Sequence, residues 1–168
     1  MNKVIVTAFC MVAVLVLLMG CGNARKESEA FFVGMANPWM DCADIAEAER
    51  LAGFNMKAPE RIVGHDRRLI QTIKESTVQL FYSDKDMSEP DSDVVLVRKA
   101  RGNEDISGDY NTYEKTETVT THGTEVSLRE NGDMVYVATW KKDGFTYAVN
   151  ADNGLTKEEI YCLAETIE

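Results

Sequence analysis

Between residues 116 and 150 the chain is punctuated by His122-Gly123, Asn131-Gly132 and Asp143-Gly144, each flanked by runs in which apolar and polar side chains alternate. A tight two-residue hairpin loop needs positive φ, which glycine adopts without steric cost. Asn-Gly and Asp-Gly loops also match the right-handed twist of paired strands. The pattern predicts strands over 116–121, 124–129, 134–141 and 145–150, joined as an antiparallel meander. With these pairs as the loops, Leu128 is expected opposite Val135 and Val126 opposite Val137. Trp140 is likewise expected opposite Tyr147, and Ala138 opposite Val149. Side chains two apart share a face. One face is therefore expected to be aliphatic, with Val119, Val126, Leu128, Val135 and Val137. The other is expected to be aromatic, with Tyr136, Trp140, Phe145 and Tyr147 beside Val149.

Upstream, Val78, Leu80 and Tyr82 alternate and 94–97 is a continuous apolar run, which brings the sheet to about six strands. Residues 83–93 are acidic and contain Pro90, as a solvated loop would. A helix is predicted over 41–52, capped by Asp41 or Asp44. Ile45, Ala48, Leu51 and Ala52 lie on one side of it, and Gly53 sits at the left-handed position that ends helices. Phe54 then leads an extended run to Pro59. A second helix opens on Thr156 and Glu159, which form a capping box. Ile160, Leu163, Ala164 and Ile167 give it one apolar stripe. The expected architecture is α+β: an antiparallel β-meander with an N-terminal and a C-terminal helix packed on it. Two short helices are not expected to cover both faces, so one face is expected to be open or curved into a groove.

The first residues carry an address. Lys3 precedes an apolar stretch over 4–19, which is short for a permanent membrane span. It ends in Leu18-Met19-Gly20-Cys21, which resembles the lipobox of bacterial lipoproteins. That resemblance implies cleavage before Cys21 and a diacylglycerol on its sulfur. Residues 1–20 then form the lipoprotein signal peptide, 21–36 the lipidated N-terminus and tether, and 37–168 a single α+β domain. The expected location is the cell membrane, lipid-anchored, on the extracytoplasmic face. The formal net charge of −10 and pI near 4.7 argue against nucleic acid and against charge-driven docking on anionic lipid. Lipid chains rather than charge would hold the protein at the membrane.

Asn37-Pro38-Trp39, the run Glu104-Asp105-Ile106-Ser107-Gly108-Asp109-Tyr110-Asn111, and Ala138-Thr139-Trp140 with Gly154-Leu155 together resemble bacterial surface lipoproteins that carry the domain of unknown function 4367. The resemblance covers residue 37 to the C-terminus. It implies an exported α+β module and transfers no catalytic residue.

Little in the chain points to catalysis. His65 and His122 are the two histidines, and neither has another histidine near it in sequence. No zincin, nucleophile-elbow or P-loop pattern is present. An enzyme is accordingly the third reading, and no cofactor is expected. Asp105, Ser107, Asp109 and Asn111 place oxygens at alternate positions of one loop, a weak candidate for Ca²⁺. Tyr110 and Thr116 stand where an EF-hand loop needs glycine and glutamate. The alternative is a structural turn in which Asp105 caps, Gly108 takes positive φ and Tyr110 packs inward.

Tyr136, Trp140, Phe145 and Tyr147 are the candidate binding residues, since aromatic side chains pair apolar area with a polar handle. Aromatic residues on strands also build cores. Cys42 and Cys162 are the thiols left to the mature domain, and export would let them pair. Closing so long a loop is worth about 5 kcal/mol in the chain-entropy model. Two independent thiols are the other reading. The leading functional expectation is a monomeric, lipid-anchored binding or sensing module for a partner protein, peptide or envelope polymer. The alternative is a carrier of a lipid or other hydrophobic ligand in a curved-sheet cavity.

Overall fold

A computed structural model of the chain describes residues 36–168. The expected signal peptide, the lipidation site Cys21 and the tether up to residue 35 lie outside the described residues. Among the described residues no helix is long and apolar enough to cross a membrane.

The architecture is α+β, and its one antiparallel sheet has eight strands rather than about six. In chain order these are β1 (Met40–Cys42), α1 (Ile45–Ala52), β2 (Arg67–Ile73), β3 (Thr77–Ser83), β4 (Val94–Arg101), β5 (Lys115–Thr121), β6 (Thr124–Asn131), β7 (Met134–Lys142), β8 (Phe145–Leu155) and α2 (Lys157–Thr166). The two additional strands are β1 and β2. Neither advertises itself: β1 has three residues, and β2 joins β3 through Lys74-Glu75-Ser76, where Glu75 rather than glycine takes φ 59°. Asp41 pairs with Gln71 inside β1, so Asp44 caps α1, its Oδ1 accepting from the Glu47 N–H at 2.8 Å. Gly53 ends α1 at φ 74°, as expected.

Two four-strand meanders, β1–β4 and β5–β8, are joined where β4 pairs with β8, giving the order β1-β2-β3-β4-β8-β7-β6-β5. The segment 102–114 therefore leaves the middle of the sheet and reaches the far edge, crossing β8, β7 and β6.

The hairpin loops fall where expected at His122-Gly123 and Asp143-Gly144, with all four residues at positive φ. The middle one is offset by a residue. Asn131 pairs with Met134, so the loop is Gly132-Asp133 with Gly132 at φ 58°, a loop led by glycine. Bulges at Arg129/Glu130 and between Val135 and Val137 then absorb the mismatch. Leu128 consequently lies opposite Ala138, and Val126 opposite Trp140. The expected pairing of Trp140 with Tyr147 and of Ala138 with Val149 holds. The separation into an aliphatic and an aromatic face does not. Trp140 and Tyr147 share the core side with Val126 and Leu128, while Val137 turns to the other side opposite Asn150.

Both helices build one continuous core on one side of the sheet, around Val78, Leu80, Val97, Leu128 and Val149, all fully buried. Burying each such side chain contributes about 1.5–3 kcal/mol. α1 supplies Ala48 and Ala52, and α2 supplies Ile160 and Leu163, with Ile167 at its C-cap. The capping box of Thr156 and Glu159 forms as the spacing predicts.

The chain between α1 and β2 is tied down by polar groups. Tyr82 Oη donates to Pro59 O at 2.6 Å, and burial pushes the phenol up to about 12. Lys99 is buried and donates to Asn55 O at 2.7 Å, its ammonium 4.4 Å from the Phe145 ring centroid; burial lowers its pKa. Glu130, two residues beyond Leu128 on β6, faces the core side beneath the first turn of α2. There Lys157 lies 3.2 Å from its Oε2 and also pairs with Glu117.

Candidate functional site

The helices leave the other side of the sheet to side chains and to the crossing segment 102–114. Register places Asp41, Gln71, Gln79 and Arg98 opposite one another across β1 to β4. Their side chains form a one-way chain of donors. Arg98 Nε donates to Gln79 Oε1 (2.8 Å), Gln79 Nε2 to Gln71 Oε1 (2.7 Å) and Gln71 Nε2 to Asp41 Oδ1 (2.7 Å). With a guanidinium at one end and a carboxylate at the other, each bond polarises the next.

Arg98 also fastens the crossing segment. Its Nη1 donates to Ile106 O and Ser107 O, both at 3.0 Å, while the guanidinium lies 5.6 Å from the Trp39 ring centroid. Desolvation lowers the Arg98 pKa. Gly108 lies against it at φ 67°, where a Cβ would come within 2.9 Å of Arg98 Nη1, so a side chain there meets both strain and the guanidinium. From β8, Asn150 Nδ2 donates to Ser107 O at 3.2 Å. From β6, Arg129 donates to Asp109 O at 3.2 Å and pairs with Asp105.

These contacts account for the loop that carried the weak Ca²⁺ expectation. Asp105 accepts from Ser107 N–H at 2.8 Å, and Asp109 accepts from Asn111 N–H at 3.0 Å and from Tyr113 Oη at 2.9 Å. Burial alone would raise the Asp105 carboxyl, but the bonds from Ser107 and the Arg129 guanidinium outweigh it and hold the group below its ordinary value. The oxygens of Asp105, Ser107, Asp109 and Asn111 thus face the loop's own N–H groups and a fixed cation rather than a common centre. Among the described residues no group of three His, Cys, Asp or Glu is gathered for a metal ion. Asp105 and Gly108 act as the structural-turn reading expects, whereas Tyr110 is 96% exposed instead of packing inward.

The fastened segment leaves a cleft on each side. One, of about 480 Å³, lies toward β3 and β4. Phe81, Val94 and Leu96 form its floor, Met87 is at its rim, and Arg98, Asn150 and Asp152 contribute its polar groups. Asn150 Oδ1 is buried there without a hydrogen-bond partner. The Asp152 carboxyl is raised by desolvation and further by Asp93, against a bond from the Val94 backbone that lowers it. The second cleft, of about 380 Å³, is polar. Thr118, Ser127, Thr139 and Thr146 come from four successive strands, and Glu104, Asp105, Glu125 and Lys141 ring them.

The aromatic residues expected to bind are divided by the bulges. Trp140 and Tyr147 stack at 5.3 Å with rings 2° from parallel, both inside the core. Phe145 packs on Phe54 at 5.0 Å, and Tyr136 is beside Tyr113 at 6.0 Å. Trp140, Phe145 and Tyr147 therefore share the core side, and Tyr136 alone is set apart from them. The residues that hold the clefted face together, Arg98, Gln79, Asn150 and Arg129, went unremarked in the sequence. Arg98 was the signal available: a long cation set between Val97 and Lys99 inside an apolar strand.

Cys42 and Cys162 are both free thiols. Cys42 is buried opposite Ile70 near α1, while Cys162 is exposed on α2, which packs over β5, β7 and β8. Burial, with Glu47 and Asp41 nearby, raises the Cys42 thiol. His65 lies 3.1 Å from Asp93 and His122 lies 3.6 Å from Glu165, so the two histidines serve different partners.

Trp39, the segment 104–111 and Thr139 all border the clefted face. No family model, no curated protein and no solved structure matches this chain, so the likeness to lipoproteins with the domain of unknown function 4367 rests on its short stretches alone.

Proposed function

We propose that this protein is a lipid-anchored extracytoplasmic binding or sensing module, and that its ligand sits on the sheet face crossed by residues 102–114. The observation that carries the reading is the fastening of that segment. Two arginines and an asparagine from three strands hold it over a face that, among the described residues, no helix covers, leaving a cleft on either side. Rigid placement of a loop on a sheet is how scaffolds position contact residues at little entropic cost. The ligand is a partner protein, peptide or envelope polymer. Both clefts open to solvent and the core side is filled by the helices, which favours a binder over a carrier. Neither His65, beside Asp93, nor His122, beside Glu165, lines either cleft.

The test is photo-cross-linking in living cells. A photoreactive amino acid placed at Met87 or Thr118, one in each cleft, should yield an adduct whose mass identifies the bound molecule. The same group at Glu165 on α2 serves as the control. Adducts of equal yield at Glu165, or none at either cleft, would reject the reading.

A further inference from the structure

The strand order leaves the sheet with two edges, β1 and β5, and they differ. β1 has three residues and covers only residues 70–72 of β2, while Arg67 and Arg68 stand at the open part of that edge. Short strands and edge cations are the usual guards against a further strand. β5 is not guarded in this way. It runs for seven residues without proline or bulge, and its cation, Lys115, already pairs with Glu117 of the same strand. The two-residue loop His122-Gly123 makes Thr121 and Thr124 a hydrogen-bonded pair, and such pairs alternate along the ladder. Lys115, Glu117, Val119 and Thr121 therefore bond to β6, and the N–H and C=O groups of Thr116, Thr118 and Thr120 point away from the sheet. Among the described residues nothing bonds to those outward groups. An open row of this kind is a template for another strand.

We propose that the strand it takes is β5 of a second copy, antiparallel, about a two-fold axis at Thr118. The protein is then a dimer rather than the monomer expected from its sequence. In that register the edge is complementary to itself along its whole length. Thr118 lies opposite its own copy and Thr116 opposite Thr120 of the second copy, so the clefted side carries threonine against threonine throughout, a stabilising pair. On the core side Glu117 meets Val119 and Lys115 meets Thr121, and no like charges stand opposite. Val119, half-buried at the margin of the core, is covered by the added strand. Sliding the pair by two places one way sets Glu117 against its own copy, which is repulsive; the other way leaves Lys115 and Thr116 without a strand partner. Thr118, Ser127 and Thr139 stand opposite one another in the polar cleft. The axis continues that row of hydroxyls into the second copy, so the two clefts become one trough to which each copy contributes. The pairing itself does not depend on that face being the binding surface.

The experiment is cross-linking of the full-length protein in intact cells with dibromobimane, which joins two thiols only when they lie close together. All variants carry Cys162→Ser, which removes the exposed thiol. Thr118→Cys should give a covalent dimer at least tenfold above that background. Thr116→Cys and Thr120→Cys should each stay at background, because each is four positions, roughly 13 Å, from its own copy. Combined in one chain they should give the dimer. Adding Thr118→Pro to that combination should abolish it, since the proline removes an outward N–H and no bond to β6. No dimer from Thr118→Cys, or as much from Thr120→Cys alone, would overturn the proposal. Should Thr118→Cys fail to accumulate, the combination of Thr116→Cys and Thr120→Cys decides alone, and the absence of a dimer from it overturns the proposal equally. A photo-adduct from Thr118 to a different molecule, with no cross-linked dimer, would reject the second copy and leave the clefted face as the binding surface.

Discussion

Replacing Arg98 by methionine should release the crossing segment while leaving the sheet paired. The guanidinium makes three bonds of 2.8–3.0 Å, to Gln79 Oε1, Ile106 O and Ser107 O. A hydrogen bond to a charged group contributes about 1.5–3 kcal/mol, so three sum to about 4–9 kcal/mol before correction. Two corrections reduce that figure. Arg98 is only half-buried, so water screens part of each bond. Removing a partly desolvated cation also recovers some of its burial cost. A net loss of about 2–4 kcal/mol remains. With a urea m-value of about 1–3 kcal/mol/M, the midpoint should fall by roughly 1–2 M. Equilibrium urea melts measure that loss, and amide hydrogen exchange locates it. Exchange should accelerate across 103–113 and stay unchanged in β7 and β8. Arg98→Lys should recover little, because an ammonium cannot reproduce the planar fork that serves Gln79 and the two carbonyls together. A loss below about 1 kcal/mol with unaltered exchange in 103–113 would refute the idea that Arg98 fastens the loop.

Glu117 is held down to about 2, first by Lys115 and then by Lys157. A carboxyl depressed on folding adds stability that is complete above its unfolded value near 4.5 and is lost as pH falls toward 2. Acid unfolding of Glu117→Gln should therefore show a shallower slope between those limits; an identical slope would mean that the pair contributes nothing. Replacing Cys21 by serine should move the protein out of the membrane fraction or leave an unprocessed precursor. Unchanged mass and unchanged membrane retention would show residues 4–19 to be the anchor instead.

The helix caps and two of the three hairpins were legible because the physics that decides them is local. Thr156 and Glu159 satisfy each other's backbone groups within one turn, and Gly53, Gly123 and Gly144 sit where the chain needs positive φ. The third hairpin shows where local reasoning stops. Asn131-Gly132 and Gly132-Asp133 are both two-residue loops, and the choice slides the pairing by two residues, which keeps each side chain on its face. The extra residue of β7 between Val135 and Val137 is what exchanges the faces. Packing resolved it. The bulge in β7 put Trp140 on the core side with Val126. Aromatic side chains that looked like a site became interior.

The α+β class, the positions of most strands and the lipobox-like N-terminus follow from the order of residues alone. The chain's own periodicities, 3.6 for helix and 2 for strand, report which segments have a face to bury. They do not report which strand lies beside which. Only the pairing of β4 with β8 sends residues 102–114 across the sheet, and only that crossing brings Arg98, Asn150 and Arg129 to one loop. Those partners are separated by up to 52 positions and come from three strands. No local pattern encodes such a meeting, because its energy exists only once the long loop has closed and the strands are side by side.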